Sequence, residues 1–328
     1  MKLIPEDIRP VYPEDVPAEK VRDKLLELLG LEPLPSSVQV EKGPAVESDD
    51  GLMEMPLTFQ NGLGETVPGI LLFPAESLAG TMGGIVCVSG TGGSAERVTH
   101  PRFHRPDPEG PALFGWGREL SRRGFVTLSI SAKGTVSRRD SEHSWELERK
   151  LLAPYGRSQM GVLVEETLLA AKVLLALEEV DVHGVGLTGF SLGGNASWYS
   201  MACAPWIRTA ASLCGGLGSL AQGIHLLDVA RHSSYWYVPH MLRYFDHPEI
   251  VAACIAPRPF MMISPTRDER GESPGLPGRF DGEERPSCTP SPVRPAWVVS
   301  LTSLRCPVPA APGSGIQGCL RRRWRGAP

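Results

Sequence analysis

The residue with the clearest chemical potential is a serine in a Gly-x-Ser-x-Gly pattern, Gly-Phe-Ser-Leu-Gly at residues 189–193. A short apolar run at residues 185–189 leads into it, and a helix-compatible segment follows from Asn195. This order predicts a strand, a sharp turn and a helix, with Ser191 strained at the tip of the turn. Ser191 is therefore predicted to be a nucleophile, and the N–H of Leu192 an oxyanion donor at the helix start. The pattern alone also fits a glycine-rich turn with a solvated serine, because the chain contains 36 glycines.

A second glycine-rich segment, Ser-Gly-Thr-Gly-Gly at residues 89–93, follows a wholly apolar run. We call residues 89–93 the Gly-rich loop. A loop in this position can turn the N–H of Gly90 or Thr91 towards Ser191 as a second oxyanion donor. It is not a phosphate-binding loop, because the Lys-Ser/Thr ending of such loops is absent. A plain glycine turn is the alternative interpretation.

A serine nucleophile needs a base, and an acid that orients the base; in this type of elbow the chain order is Ser, acid, His. Asp268 follows an apolar run at residues 260–264 by a short turn, and is the predicted acid. A turn aspartate that caps its own backbone is the alternative, and Asp228 and Asp246 are weaker candidate acids. No histidine follows Asp268, since the last one is His247. The candidate substitute bases lie upstream: His225, His232 and His240.

The elements that must position these residues alternate between strand and helix from about residue 84 onwards. Predicted strands cover residues 38–47, 53–59, 66–74, 84–89, 125–131, 185–189, 209–214 and 260–264, and predicted helices cover 18–29, 112–123 and 158–178. This alternation predicts an α/β fold with a mostly parallel central sheet and helices on both faces. Because such sheets bind ligands at the carboxyl ends of their strands, Ser191 and the loops after the other strands should face one another.

Composition divides the chain into three predicted parts. Residues 1–35 form a Pro-rich, charged N-terminal arm with one helix, and residues 36–270 form the α/β domain. Within that domain, residues 215–256 are rich in aromatic residues and histidine, and are predicted to roof the site; a helix pair packed on the core is the alternative. Residues 271–328 contain 10 Pro, 8 Gly and 8 Arg. This tail cannot bury enough apolar surface to offset its ordering entropy, so it is predicted to be disordered.

Bulk composition excludes several function classes. The net charge of −4 indicates neither a nucleic acid nor an anionic membrane as a partner. No apolar run reaches membrane-spanning length, and residues 1–12 contain no apolar core of a signal peptide. The seven cysteines form no Cys-x-x-Cys pair, which favours a reducing cytoplasm.

His100 and His104 lie in a Pro-rich loop without an intervening Glu, so we expect no metal and no cofactor. The oligomeric state is left open.

With these residues in view, the chain resembles the α/β-hydrolase superfamily, and within it the dienelactone hydrolase and acetyl xylan esterase-like group. The resemblance spans residues 38–269, and its most specific parts are Phe-Gly-Trp-Gly-Arg-Glu-Leu-Ser-Arg-Arg-Gly-Phe at 114–125 and Gly-Phe-Ser-Leu-Gly-Gly at 189–194. Tyr-Val-Pro-His-Met-Leu at 237–242 and Ile-Ala-Pro-Arg-Pro-Phe at 255–260 add to it. It implies a serine hydrolase of small carboxylic esters that acts through an acyl-enzyme. It also implies Ser191 as nucleophile, Asp268 as acid, and N–H groups near Gly90 and Leu192 as the oxyanion hole.

The chain departs from this group after the acid. Members continue with a helix, a last strand and a loop that bears the catalytic histidine, whereas here Pro/Gly/Arg-rich sequence without histidine follows. The tail has the composition of a frameshifted C-terminus, so the sheet is predicted to be incomplete at its C-terminal end. One alternative is a catalytically inactive hydrolase-fold protein, either a pseudoenzyme or a truncated gene product. A peptidase of the prolyl oligopeptidase type is another, but the large extra domain typical of that type does not fit within this length.

Overall fold

The structure is a computed structural model that describes residues 16–76, 81–100, 115–138, 145–225 and 233–263. All of these residues belong to the first of two units, Met1–Ala296. The predicted tail, residues 271–328, lies outside the described residues, as do Asp268, Asp228, His232 and His104.

A mixed sheet of nine strands runs through the described residues. Its strands are β1 (Val40–Lys42), β2 (Val46–Glu47), β3 (Leu52–Gln60), β4 (Thr66–Pro74), β5 (Met82–Val88), β6 (Val126–Ile130), β7 (Val180–Phe190), β8 (Thr209–Leu213) and β9 (Phe260–Ile263). Their spatial order is β1-β3-β4-β6-β5-β7-β8-β9, and β2 pairs with β3. Strands β6, β5, β7, β8 and β9 are mutually parallel, whereas β1 to β4 add antiparallel pairs at one side. The predicted α/β fold with a mostly parallel central sheet is confirmed.

Helices cover the sheet. They are α1 (Ala18–Leu29), α2 (Ala95–Thr99), α3 (Trp116–Ser121), α4 (Trp145–Leu152), α5 (Gln159–Leu175), α6 (Leu192–Cys203), α7 (Leu220–His225) and α8 (His247–Ile250). Helices α5 and α6 pack on each other and on β5 and β7, whereas α2 and α3 pack on each other and on β4 and β6. A large apolar core lies between the sheet and these helices.

The local signals for two helices act as predicted. In α1, the side chains of Val21, Leu25 and Leu29 share one face and are buried. Gly30 ends this helix with φ 68°, in the left-handed region that glycine adopts readily. Helix α5 is capped by Ser158, whose hydroxyl accepts a hydrogen bond from the N–H of Gly161 at 2.9 Å.

Two predicted strands have different bounds. The run at residues 38–47 divides into β1 and β2, because Gly43 and Pro44 interrupt it and proline has no N–H to donate to a ladder. Strand β7 begins at Val180, five residues before the predicted start, because Val180 pairs with Met82 beyond an irregularity in β5. At the opposite side of the sheet, β9 is the outermost described strand.

The register of the sheet brings the carboxyl ends of the parallel strands to one edge. Val88 at the end of β5 pairs with both Ile130 of β6 and Gly189 of β7. On the other side of β7, Leu213 of β8 pairs with Phe190 of β7 and Ile263 of β9. The Gly-rich loop, Ser191 and the end of β9 therefore lie along the same edge of the sheet.

Candidate active site

The predicted strained turn is present at Ser191. This residue lies between β7 and α6 with φ 54° and ψ −113°, in a region that residues with a side chain rarely occupy. Two hydrogen bonds hold it there: its N–H donates to the Leu213 carbonyl at 2.8 Å, and its carbonyl accepts from Asn195 N–H at 3.1 Å. The Ser191 hydroxyl is partly exposed, and it makes no hydrogen bond within the described part of the chain. The turn thus presents a free hydroxyl above the sheet.

Glycines allow the backbones around this turn to approach closely. A Cβ atom on Gly189 would lie 2.2 Å from the Gly193 carbonyl oxygen. A Cβ atom on Gly193 would lie 2.0 Å from the Val88 carbonyl oxygen, far inside van der Waals contact. The first turn of α6 therefore lies directly against the end of β5, and only glycine fits at both positions.

The Gly-rich loop lies beside the nucleophile, as the second oxyanion donor requires. A Cβ atom on Gly90 would be 3.3 Å from Ser191 Cβ. The loop is closed by a hydrogen bond from Gly93 N–H to the Gly90 carbonyl at 2.9 Å. Among the described residues, the N–H groups of Gly90, Thr91 and Leu192 find no acceptor. Gly90 and Leu192 thus place unpaired backbone donors beside Ser191 at the start of a 12-residue helix, and Thr91 supplies a third in the same Gly-rich loop.

The predicted acid, Asp268, lies outside the described residues, but the strand before it can be located. The Cys214 N–H donates to the Ile263 carbonyl at 2.7 Å, so the end of β9 lies against the turn after β8. Leu213, the preceding residue, accepts the N–H of Ser191. The end of β9 therefore lies close to the turn that holds the nucleophile.

The candidate bases are not seen at the nucleophile. His225 is the last residue of α7, but its side chain is outside the described set, as is all of His232. His240 is exposed and precedes a short 3-10 turn, Met241–Arg243, with φ 64°. No hydrogen bond joins His240 to Ser191. The role of these histidines therefore stays a prediction.

His247 is a buried structural residue that the sequence did not single out as one. Its Nδ1 lies 3.0 Å from the Gly218 carbonyl, and its Nε2 lies 3.0 Å from the Tyr199 hydroxyl. Because a carbonyl can only accept, Nδ1 carries the proton and Nε2 accepts from Tyr199. Burial lowers the pKa of His247 from 6.5 to about 4, against the opposing charge of Asp246. With both ring nitrogens bonded, His247 has no free nitrogen for catalysis.

Asp246, one of the weaker candidate acids, caps two helices. Its carboxylate accepts from the Ser219 hydroxyl at 2.6 Å and from the N–H groups of Leu220, Ala221 and His247. It also takes part in a capping box with Glu249 at the start of α8. These donors use its oxygens, so Asp246 is bound to helix ends and not to a histidine ring.

The described part of the predicted roof, residues 215–225 and 233–256, packs its aromatic residues into the protein. Tyr235, Trp236 and Phe245 are buried, and the Trp236 ring lies 5.5 Å from the His247 ring. This packing agrees with the alternative of helical segments packed on the core.

Sequence reasoning missed a cluster of buried charges beside the site. Glu166 of α5 is fully buried and binds Arg138, Lys133 and Asn61. An available signal was the Glu-Glu pair at residues 165–166, in the middle of an otherwise apolar helix. Since isolated buried charges are strongly unfavourable, a carboxylate there requires partners.

Other candidate sites carry no chemistry in the described residues. His100 Nε2 lies 3.1 Å from Glu54 Oε1, and no group of three metal-ligating side chains occurs within the described ranges. A cavity of about 660 Å³ lies between residues 32–41, β3 and α5, and no residue that contacts Ser191 lines it. No helix among the described residues is both long and apolar enough to span a membrane.

Comparison with known proteins agrees with this geometry. YtaP of Bacillus subtilis, provisionally named a hydrolase, is 26% identical over 255 residues, covering 78% of this chain and 83% of that protein. No protein-family model matches the chain.

Solved structures are similar at lower identity. A Bacteroides fragilis protein provisionally named an acetyl xylan esterase superposes with a TM-score of 0.64 at 16% identity, over 78% of this chain and 71% of that one. An acetyl xylan esterase from Paenibacillus sp. R4 gives 0.52 at 16% identity, over 79% and 83% of the two chains. A glucuronoyl esterase from Solibacter usitatus gives 0.52 at 13% identity, over 74% and 72%. The chain therefore has the α/β-hydrolase fold that its sequence resemblance implied.

Proposed function

We propose that the chain is a serine hydrolase of small carboxylic esters that acts through an acyl-enzyme. One observation carries the proposal: Ser191 stands at a strained strand-to-helix turn, with unpaired backbone N–H groups on Leu192 and in the adjoining Gly-rich loop. Its hydroxyl makes no hydrogen bond within the described part of the chain, so a base and a substrate can both approach it. The names of the similar solved structures, which are esterases, support the same reaction class.

In the proposed reaction, Ser191 Oγ bonds to the ester carbonyl carbon, and the carbonyl electron pair moves onto oxygen. The N–H groups of Leu192 and of Gly90 or Thr91 hold that oxyanion. The base takes the serine proton and gives it to the leaving alcohol, which leaves an acyl group on Ser191. Water then releases the acid by the same route in reverse. Asp268 orients the base.

This reaction also needs a general base beside Ser191. No histidine follows Asp268, and both ring nitrogens of His247 are bonded. The candidate bases are those of the predicted roof, His225, His232 and His240. Without one, the oxyanion hole and substrate binding alone leave roughly 10³- to 10⁴-fold catalysis over water. We propose low turnover for the chain as it stands, with acetyl or similarly short acyl esters as substrates.

A second candidate is a hydrolase-fold protein without turnover, and the missing histidine after Asp268 favours it. A peptidase of the prolyl oligopeptidase type has no such observation in its favour. A cytoplasmic location remains a prediction from the cysteine pattern, and the four described cysteines are all unbridged.

The test is hydrolysis of p-nitrophenyl acetate by the purified full chain, beside Ser191→Ala. Activity that disappears in the variant, together with an acetyl adduct on Ser191 by intact-mass analysis, supports the esterase. The His→Ala variants at 225, 232 and 240 then identify the base as the one that removes deacylation. Equal background rates for both proteins, with no adduct, would reject turnover and favour the second candidate.

A further inference from the structure

The loop that follows β6, residues 131–138, is held by one buried carboxylate. We call these residues the β6 loop. Glu166 Oε2 accepts the backbone N–H of Lys133 at 2.7 Å, and both of its oxygens accept from Arg138 Nη1 at 2.8 Å. Glu166 Oε1 also accepts from Asn61 Nδ2 at 2.7 Å. Every partner is a donor, so Glu166 binds as a carboxylate and holds the β6 loop at residues 133 and 138.

The β6 loop in turn holds the Gly-rich loop. The N–H of Val136 donates to the Thr91 carbonyl at 2.9 Å, and the Ser131 hydroxyl accepts from the N–H of Ala95, also at 2.9 Å. Within the Gly-rich loop, the Gly90 carbonyl points at Gly93 N–H. Because a trans peptide directs its C=O and N–H oppositely, the unpaired N–H of Thr91 points away from that bond. The β6 loop anchors the Thr91 carbonyl, and therefore helps to fix the orientation of the Thr91 N–H.

The same loop contacts the described roof. A Cβ atom on Gly134 would lie 2.6 Å from Tyr235 Cζ, so the Tyr235 ring packs on the bare backbone there. The Tyr235 hydroxyl donates to Glu148 Oε2 at 2.7 Å, and Lys133 Nζ lies 3.6 Å from Glu148 Oε1. One buried network therefore joins helix α5, the β6 loop, the Gly-rich loop and the roof.

We propose that Glu166 is a positioning residue for the oxyanion hole: through the β6 loop it holds the Gly90 and Thr91 N–H groups at Ser191. This inference rests on the proposed function, because it assigns Glu166 a part in the same site. Glu166 itself makes no described contact with the nucleophile and acts through the β6 loop.

The first test is Glu166→Gln, with Glu165→Gln as the matched control. Glu165 is the next residue on α5; it is also buried, and it binds Arg157 at 2.7 Å, outside both loops. Removal of one oxyanion donor lowers kcat by roughly 10²- to 10³-fold. We expect a displaced donor to lower kcat by roughly 10- to 100-fold in Glu166→Gln, with KM changed by less than about twofold. Glu165→Gln should keep the kcat of the wild type.

The second test leaves the core intact in case Glu166→Gln does not fold. Val136 is 53% exposed and begins the 3-10 turn Val136–Arg138, where proline is tolerated. Val136→Pro removes the N–H that bonds the Thr91 carbonyl, whereas Val136→Ala keeps it. We expect Val136→Pro to lower kcat with little change in KM, and Val136→Ala to match the wild type.

Hydrogen exchange separates a failure of this inference from a failure of the proposed function. In Glu166→Gln and Val136→Pro, amides of a peptide covering residues 89–95 should exchange faster than in either control. If the wild type has no turnover, the esterase proposal fails while the exchange data still test the positioning role. Unchanged exchange, or an unchanged kcat in Glu166→Gln and Val136→Pro where the wild type is active, would overturn the inference. An equal loss in Glu165→Gln would also overturn it, since that loss would reflect stability alone.

Discussion

Acidification should destabilise this protein through His247 well before most carboxylates titrate. Its ring is buried among Trp198, Tyr199 and Trp236, and it is neutral in the folded state. Burial lowers its pKa from 6.5 to about 4. As the pH falls below about 6.5, the unfolded chain takes up a proton at this position that the folded chain does not. Folding stability from this residue is therefore complete above that pH and is lost as the pH falls towards 4.

The magnitude follows from the shift. A difference of about 2.5 pKa units, at 1.36 kcal/mol per unit, gives at most about 3 kcal/mol. Most of this, about 2 to 3 kcal/mol, should be lost between pH 7.5 and 4.5. That is a large fraction of the free energy of unfolding of a typical protein, which is roughly 5 to 15 kcal/mol. Acid should therefore weaken the packing of His247 against Trp198 and Tyr199 of helix α6.

The assay is urea unfolding of the wild type, His247→Asn and Tyr199→Phe across this pH range. His247→Asn cannot titrate, so it should be less stable at pH 7.5 but lose about 2 to 3 kcal/mol less on acidification. Tyr199→Phe removes the hydroxyl at Nε2 but keeps the buried ring, so it controls for lost stability while retaining the steep dependence. Parallel curves of unfolding free energy for all three proteins would refute the assignment of this dependence to His247.

Three further changes test close contacts and hydrogen bonds that hold helices α6, α7 and α8 in place. Gly193→Ala should lower the free energy of unfolding in urea by at least about 2 kcal/mol, because the new Cβ would meet backbone 2.0 Å away. Gly92→Ala is the control and should be neutral, because its Cβ would meet nothing within 4 Å. Equal stabilities of the two variants would contradict the close approach of α6 and β5. Arg258→Lys should lower the free energy of unfolding by about 3 kcal/mol, since the guanidinium donates to four carbonyls at the end of α6 and nearby. A loss under about 1 kcal/mol would show that these hydrogen bonds contribute little to stability. Asp246→Ala should cost about 2 kcal/mol by uncapping two helices; unchanged thermal unfolding would rule out the caps.

The elbow was predictable because part of its constraint is local in sequence. A Cβ atom on Gly189 would meet Gly193, the next glycine of the motif, so the spacing of the two glycines around the serine appears in the sequence itself, whereas the contact of Gly193 with Val88 appears only in the structure. Helix α1 was predicted with its observed bounds for the same reason, since its apolar spacing and Gly30 lie within one segment. The role of Ser191 in catalysis stays a prediction, as does that of Asp268.

The structural roles of other residues could not be predicted, because their partners are far away in sequence. The bond between Asn61 and Glu166 joins residues 105 apart, and Arg118 binds Asp50 across 68 residues. Arg118 belongs to the segment at 114–125 that carried the family resemblance, and in the structure it forms an ion pair with Asp50. Its guanidinium holds the pKa of Asp50 far below the usual range. Nothing in the local pattern of residues 114–125 specifies which acid Arg118 will meet.

The sequence by itself determined the alternation of strands and helices, the strained serine turn and the absence of a histidine after Asp268. Those features depend on residue type and on the spacing of residues that are close to one another in the sequence. Only the tertiary structure decided which charged residues are buried together and which loops meet at Ser191. It joined Glu166, the β6 loop and the Gly-rich loop, and it occupied both nitrogens of His247. The physical reason is that burial of a polar group is tolerable only beside a partner, and the sheet topology selects that partner.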